Sequence, residues 1–228
     1  MIAQDSGCCS YLIGSGKEFI LVDPLIDVER FMKVQQEGAK ILGAIDTHVH
    51  ADHLSGSREI QKLTGCPIYM YETSPVKFPF IPLKEKEYRM AGLKVQLIHT
   101  PGHAPEHVCL LIEDKTVLTG DTLLVKDVGR VDLGRGDPDQ LYDSLFNKLL
   151  KLEDHVEVMP GHVGKAHFVS GDSSSTIGLE RQTNPALKAK TRGEFVQYMT
   201  EGWPPKPAHY EQYIKVNCGL MELRQAQF

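Results

Sequence analysis

A layered α/β sandwich is the fold class that the sequence predicts, on three observations. Short apolar runs rich in β-formers alternate with helical patterns, two β-rich halves are each flanked by helices, and every dense group of metal-ligand side chains falls where a strand pattern gives way to a loop. At 228 residues, with 41% hydrophobic and 24% charged, the chain can bury one sizeable core. One domain is expected over residues 1–228.

Taken in order, SYLIG and EFILVDP read as an opening hairpin through Ser15-Gly16, because Ser and Gly supply turn geometry between two β-prone runs. Asp27 to Glu37 reads as an amphipathic helix ended by Gly38, and AKILGAIDTH as a buried strand. Leu54 to Leu63 follows as a helix closed by Gly65, then PIYMYE as a strand, giving a βαβαβ-like first half. TSPVKFPFIPLKEKEY carries three prolines and alternating charges, so a loop or irregular edge is expected. LKVQLIHT, HVCLLIE and KTVLTGD are three strands joined by turns. Helical patterns return at Pro138 to Leu152, Ser174 to Arg181 and Pro185 to Met199, with one more strand at HVEVMPGH, and the chain is Pro-rich from about residue 202.

Composition excludes several classes of function. The net charge is −5 and the basic residues are scattered, so no nucleic-acid footprint is expected. The start, MIAQDSGCCSYLIG, lacks a basic segment followed by a long apolar stretch, and runs such as Val108 to Ile112 are far too short to span a bilayer. A cytoplasmic protein acting on small molecules is the expectation. Cys8, Cys9, Cys66, Cys109 and Cys218 are odd in number and form no CxxC pair, which argues for buried or idle thiols over a disulfide framework or thiolate zinc site.

The chemistry concentrates in four short motifs. DTHVHADHLSG places His48, His50 and His53 beside Asp46 and Asp52, and TPGHAPEH, TGD and MPGH add His103, Asp121 and His162. Strand ends project side chains into a shared crevice, so these distant residues are expected to converge. Imidazole with carboxylate suits Zn, Fe or Mn. His99, His107, His155, His167 and His209 lack comparable settings, and packing is expected for them.

In this order, THVHADH, TPGHAPEH, TGD and MPGH resemble the metallo-β-lactamase superfamily, which implies a four-layer αββα sandwich with metal between the sheet edges. Two further segments, GDTLLVKDVGRVDLGRGDPDQLYDSL and SSTIGLERQTNPAL, are similar to the persulfide dioxygenases, with glyoxalase II hydrolases as the nearest rival. The first resemblance implies one Fe(II) per chain held by His48, His103 and Asp121, with His50, Asp52, His53 and His162 close around them. Two histidines and one carboxylate leave positions open for O2 and a persulfide sulfur. The rival implies two Zn or mixed metals, with His48, His50 and His103 on one, Asp52, His53 and His162 on the other and Asp121 between them. A metal-containing binding or redox module without turnover is a third reading, disfavoured by the full set of ligand types.

Arg130 in GRVD and Arg181 in GLER are the candidates to contact a substrate carboxylate, each weighed against an ion pair with a local acid such as Asp132 or Glu180. The sequence departs from the family at Glu106, where relatives usually carry Gly, and after His162, where VGKAHFVSGDSS lacks the tyrosine of many glutathione-using relatives. Similar proteins often continue into a rhodanese domain, which these residues do not include. A homodimer and a separate sulfurtransferase are the partner expectations.

Overall fold

The computed structural model describes residues 7–162, 173–203 and 205–227. The tyrosine-lacking segment after His162 lies outside these residues up to position 172, as do His167 and the first six residues.

Strands β1 (Tyr11–Ser15) and β2 (Glu18–Val22) form the expected hairpin, with Tyr11 opposite Val22 and Gly16 supplying the left-handed turn residue at φ 67°. Helix α1 (Glu29–Gln36) crosses to β3 (Lys40–Ile45), and α2 (Ser57–Thr64) to β4 (Ile68–Tyr71) and then β5 (Ile81–Leu83). Parallel neighbours require such crossovers, and the first sheet runs β1-β2-β3-β4-β5, parallel from β2 onward. β6 (Glu87–Met90), β7 (Leu93–His99), β8 (Val108–Ile112) and β9 (Thr116–Gly120) then make an antiparallel meander. A small hairpin of β10 (Leu123–Leu124) and β11 (Asp127–Val128) precedes α3 (Pro138–Tyr142). β12 (Glu157–Pro160) pairs parallel with β9, and β13 (Ser175–Thr176) closes the second sheet in the order β13-β12-β9-β8-β7-β6. Helices α4 (Ile177–Thr183), α5 (Arg192–Thr200) and α6 (Tyr210–Asn217) complete the chain.

Side-chain alternation along the strands builds the four layers. On β2, Ile20 and Val22 join Ile13 and Ile45 against Val108, Leu110 and Leu118 of the second sheet, forming the inner layer boundary. The intervening Leu21 faces outward and packs with Phe31 of α1 and Ile60 of α2. On β8, Cys109 and Leu111 likewise turn outward, onto Leu141 of α3, Ile177 of α4 and Phe195 of α5. Both faces of each sheet are covered, so these strands read as unbroken apolar runs.

The helix expected at Ser174 to Arg181 opens as strand β13 before α4, the β10–β11 hairpin and α6 had no counterpart in the sequence reading, and three further elements differ for physical reasons. The proline-containing stretch 73–88 contributes β5 and the start of β6, because prolines are tolerated at a sheet edge where one side of the strand has no ladder partner. The single helix expected at Pro138 to Leu152 changes after Tyr142 into π-type and then 3-10 turns. The segment 185–199 divides into a short 3-10 turn and α5, with Thr191 capping the new N-terminus by accepting from Glu194 N–H.

Candidate metal centre

The four motifs meet at one end of the two sheets. Residues 46–53 follow β3, His103 follows β7, Asp121 follows β9 directly and His162 lies just beyond β12. Close approach of backbone makes this convergence possible. A Cβ on Gly161 would lie 2.5 Å from Asp121 Oδ1, which accounts for glycine in MPGH, and one on Gly129 would lie 1.7 Å from the Asp121 carbonyl.

His48, His103 and Asp121 form one group, each offering a ligand atom, with all three atoms within 4.8 Å of one another. His48 Nε2 and His103 Nε2 stand 3.9 and 3.7 Å from Asp121 Oδ2. The opposite ring nitrogens are engaged: His103 Nδ1 donates to the Arg130 carbonyl at 2.7 Å, and His48 Nδ1 meets Thr47 Oγ1 at 3.0 Å. An imidazole that donates through one nitrogen presents the other as a bare lone pair. His48 Nε2, His50 Nδ1 and His53 Nε2 are buried without a hydrogen-bond partner. Buried ring nitrogens left unpaired in this way are costly unless they bind something, so the residues fit a divalent cation.

The remaining motif residues surround the trio. His162 Nδ1 bonds Asp121 Oδ1 at 2.7 Å, and its Nε2 contacts Asp52 Oδ2. Burial opposes the imidazolium, but Asp121 and Asp52 on either side outweigh it and hold His162 well above the usual histidine range. Burial likewise opposes ionised Asp121, and His162 outweighs it, keeping the carboxyl well below the usual carboxylate range. His48 moves the other way: burial and the neighbouring His50 keep it neutral.

Four contributors were not assigned to the site by the sequence reading. Asp23, at the end of β2, accepts from Thr47 N–H at 2.7 Å and Thr47 Oγ1 at 2.9 Å, and its Oδ1 is 3.1 Å from His50 Nε2. It carries the signal used elsewhere, an acid directly after an apolar strand in LVDP. His107, read as a packing residue, accepts the Asp121 N–H on Nε2 at 3.0 Å and stacks on His48 with centroids 4.8 Å apart. Its Nδ1–H therefore faces Thr100 and Thr122, and burial with nearby His103 pushes it down to about 3. Cys8, read as an idle thiol, donates to Asp52 Oδ2 at 3.4 Å and sits 3.3 Å from His162 Nε2. Burial raises this thiol, but the adjoining His162 outweighs it and brings it down to about 7.

Asn217, on α6, is the fourth. Its Nδ2 donates to the carbonyls of His50 at 3.0 Å and His53 at 2.8 Å, while its Oδ1 accepts from Ser55 N–H at 3.0 Å. One carboxamide thus fixes the loop that carries three motif histidines. Asn217→Ala leaves those buried backbone groups unpaired, and a loss of about 1–3 kcal/mol in unfolding free energy is expected by urea denaturation. A change within error would show that the loop is held elsewhere.

The pocket beside the trio is lined by Asp52, His103, Asp121, Leu124, Arg130 and Leu133. Arg130 is at its wall, with Nε and Nη2 donating to Asp132 at 2.6 and 2.8 Å and Nη1 to the Pro205 carbonyl at 3.3 Å. Arg181 is not among the pocket-lining residues described, and it pairs with Asp154 and the Leu150 carbonyl on the outer helical layer.

Known proteins are similar to this chain along most of its length. The chain is 29% identical to the mitochondrial persulfide dioxygenase ETHE1 of Bos taurus, over 96% of this chain and 87% of that one. It is 27% identical to the hydroxyacylglutathione hydrolase GloC of Haemophilus influenzae, over 80% of this chain and 93% of the relative. The crystal structure of ETHE1 from Myxococcus xanthus superimposes with a TM-score of 0.88 at 29% identity, covering 96% of this chain and 97% of that one. Residues 4–162 match the family model described as the metallo-beta-lactamase superfamily, and the αββα layers place the matched motifs at one sheet end. The chain belongs to the metallo-beta-lactamase superfamily.

Proposed function

We propose that the protein is a persulfide dioxygenase using one Fe(II) per chain, and that it oxidises a low-molecular-weight thiol persulfide such as glutathione persulfide. The reaction is RSSH + O2 + H2O → RSH + SO3²⁻ + 2H⁺. The observation that carries this reading is the separate grouping of His48, His103 and Asp121, two imidazoles and one carboxylate, within a chain that matches persulfide dioxygenases along 96% of its length. Iron bound there supplies open coordination positions for O2 and sulfur. The protein's own residues do the rest. The Arg130 carbonyl and Thr47 hydroxyl fix the His103 and His48 rings. Leu124 and Leu133 keep one side of the pocket apolar, and ionised Asp52 at its wall presents an acceptor to an incoming S–H. Arg130, which lines the pocket, is the guanidinium we assign to a substrate carboxylate, and it meets one by turning from Asp132; Arg181 pairs with Asp154 on the outer helical layer.

A two-metal hydrolase of glutathione thioesters is the second reading, favoured by the additional donor group around Asp52, His53 and His162 and by the similarity to GloC. Substrate comparison separates the two. Iron-loaded protein given glutathione persulfide, coenzyme A persulfide and S-lactoylglutathione in parallel is expected to release sulfite from at least one persulfide and to leave the thioester nearly intact. Thioester cleavage without sulfite from any persulfide would transfer the assignment to the hydrolase. Sulfite from coenzyme A persulfide alone would change the carrier thiol and keep the chemistry.

A further inference from the structure

We propose that Arg135 is a specificity residue: its guanidinium forms a second anion subsite, across His103 from Arg130, and selects carrier thiols with an anionic group on each side of the sulfur. This names a substrate class for the persulfide reading of the same centre and rests on that reading for the reaction, though not for binding. One short turn delivers both arginines. In GRVDLGRG they stand on either side of Leu133, and the chain folds back so closely that a Cβ on Gly136 would lie 2.2 Å from the Val131 carbonyl oxygen. Two hollows meet over the metal centre. Arg130 lines the one beside Asp121, Arg135 lines the other with Val49 and Ile214, and Ala51, His103 and Leu133 belong to both. Together they make one trough with the His103 ring at its middle and a guanidinium toward each end.

The Arg135 guanidinium is held ready for an anion. Glu106 beneath it is 0% exposed, whereas the Arg135 side chain is 32% exposed. The carboxylate takes Nη1 and Nη2 end-on, at 3.1 and 2.7 Å. That occupies two of the five guanidinium N–H groups and leaves the edge carrying Nε–H for a second carboxylate, side-on. Arg130 differs, since its Nε and Nη2 are already given to Asp132. Arg135 therefore meets an anion without leaving its partner, and a guanidinium fixed in advance loses little freedom on binding. Val49, Leu133 and Ile214 give this end of the trough apolar walls, against which the carbon chain between sulfur and anion can lie. A thiol with an anion on each side of its sulfur engages both arginines; a neutral one engages neither.

Kinetics of the iron-loaded full-length protein test this with two substrates: glutathione persulfide, which has a carboxylate on each side of the sulfur, and 2-mercaptoethanol persulfide, which has none. Arg135→Ala alone strands the Glu106 charge, so the variant used is Arg135→Gln with Glu106→Gln, which strands none and keeps an amide oxygen for the Val49 N–H. KM for glutathione persulfide is expected to rise about tenfold more than KM for the mercaptoethanol compound, the order of one charge-assisted hydrogen bond, with kcat changing far less. Glu106→Gln alone keeps the guanidinium and removes its counter-charge, so KM for glutathione persulfide should hold or fall. Equal KM changes for the two substrates, or a rise in Glu106→Gln as large as in the double variant, would reduce Arg135 to a structural partner of Glu106 and overturn the proposal. Calorimetric titration with S-methylglutathione, which cannot turn over, should show binding to the unaltered protein and about tenfold weaker binding to the double variant. No binding, or equal affinity in both, would likewise overturn it. Because that titration needs no turnover, a failure to oxidise any persulfide would count against the dioxygenase reading and leave the subsite to be judged on binding.

Discussion

Asp121→Ala is expected to strip most of the iron and most of the turnover together. Asp121 is the one carboxylate of the trio, and its loss leaves two neutral imidazoles to hold a dication in a buried site. The effect should exceed the roughly 10–100-fold loss of metal affinity seen when an outer hydrogen-bond partner is removed. His162→Ala falls in that smaller class. It removes the 2.7 Å bond to Asp121 but leaves the trio's own atoms in place. Elemental analysis beside activity distinguishes the two variants. Full iron occupancy in Asp121→Ala would remove Asp121 from the ligand set, and equal metal loss in both variants would indicate two interdependent metals.

Arg135→Ala is expected to cost about 1–3 kcal/mol of stability, because it removes the partly exposed partner of a fully buried carboxylate. Glu106 is fully buried and takes both arms of the Arg135 guanidinium, at 3.1 and 2.7 Å, while its Oε1 also accepts the Val49 N–H between His48 and His50. Without Arg135 an uncompensated carboxylate sits beneath the ligand loop. Removing both partners, in Arg135→Ala with Glu106→Ala, should recover much of the loss, since no charge is then stranded. Thermal or urea unfolding of the two single variants and the double variant measures this. Additive costs would show that the pair is not coupled.

The four-layer fold was legible because its signals are local and repeated. Apolar strand runs, their helical crossovers and the turn at Gly16 all carry period or turn chemistry in the sequence itself. The strand-end motifs were legible for the same reason, and the six site histidines and carboxylates other than His50 stand in the two groups around Asp121 and Asp52. Contacts across long sequence separations were not legible. Asn217 reaches the loop at His50 from 167 residues away, and Cys8 reaches His162 from 154 residues away. Neither residue type advertises such a role alone. His107 was misread because its ring looks like core filling until the Asp121 N–H that it accepts is seen. For β5 the second of the two alternatives, an irregular edge, is the one found, since prolines are tolerated where one side of a strand lacks a partner.

Oxygen stoichiometry tests the dioxygenase reading most directly. Iron-loaded protein is mixed with glutathione persulfide in a closed oxygen-electrode cell, sulfite is assayed in the same sample, and an anaerobic duplicate is run beside it. The expected result is one O2 consumed per sulfite formed, none formed anaerobically, and loss of both signals in Asp121→Ala. Persulfide conversion that proceeds unchanged without O2, or sulfite formed with no oxygen uptake, would contradict it.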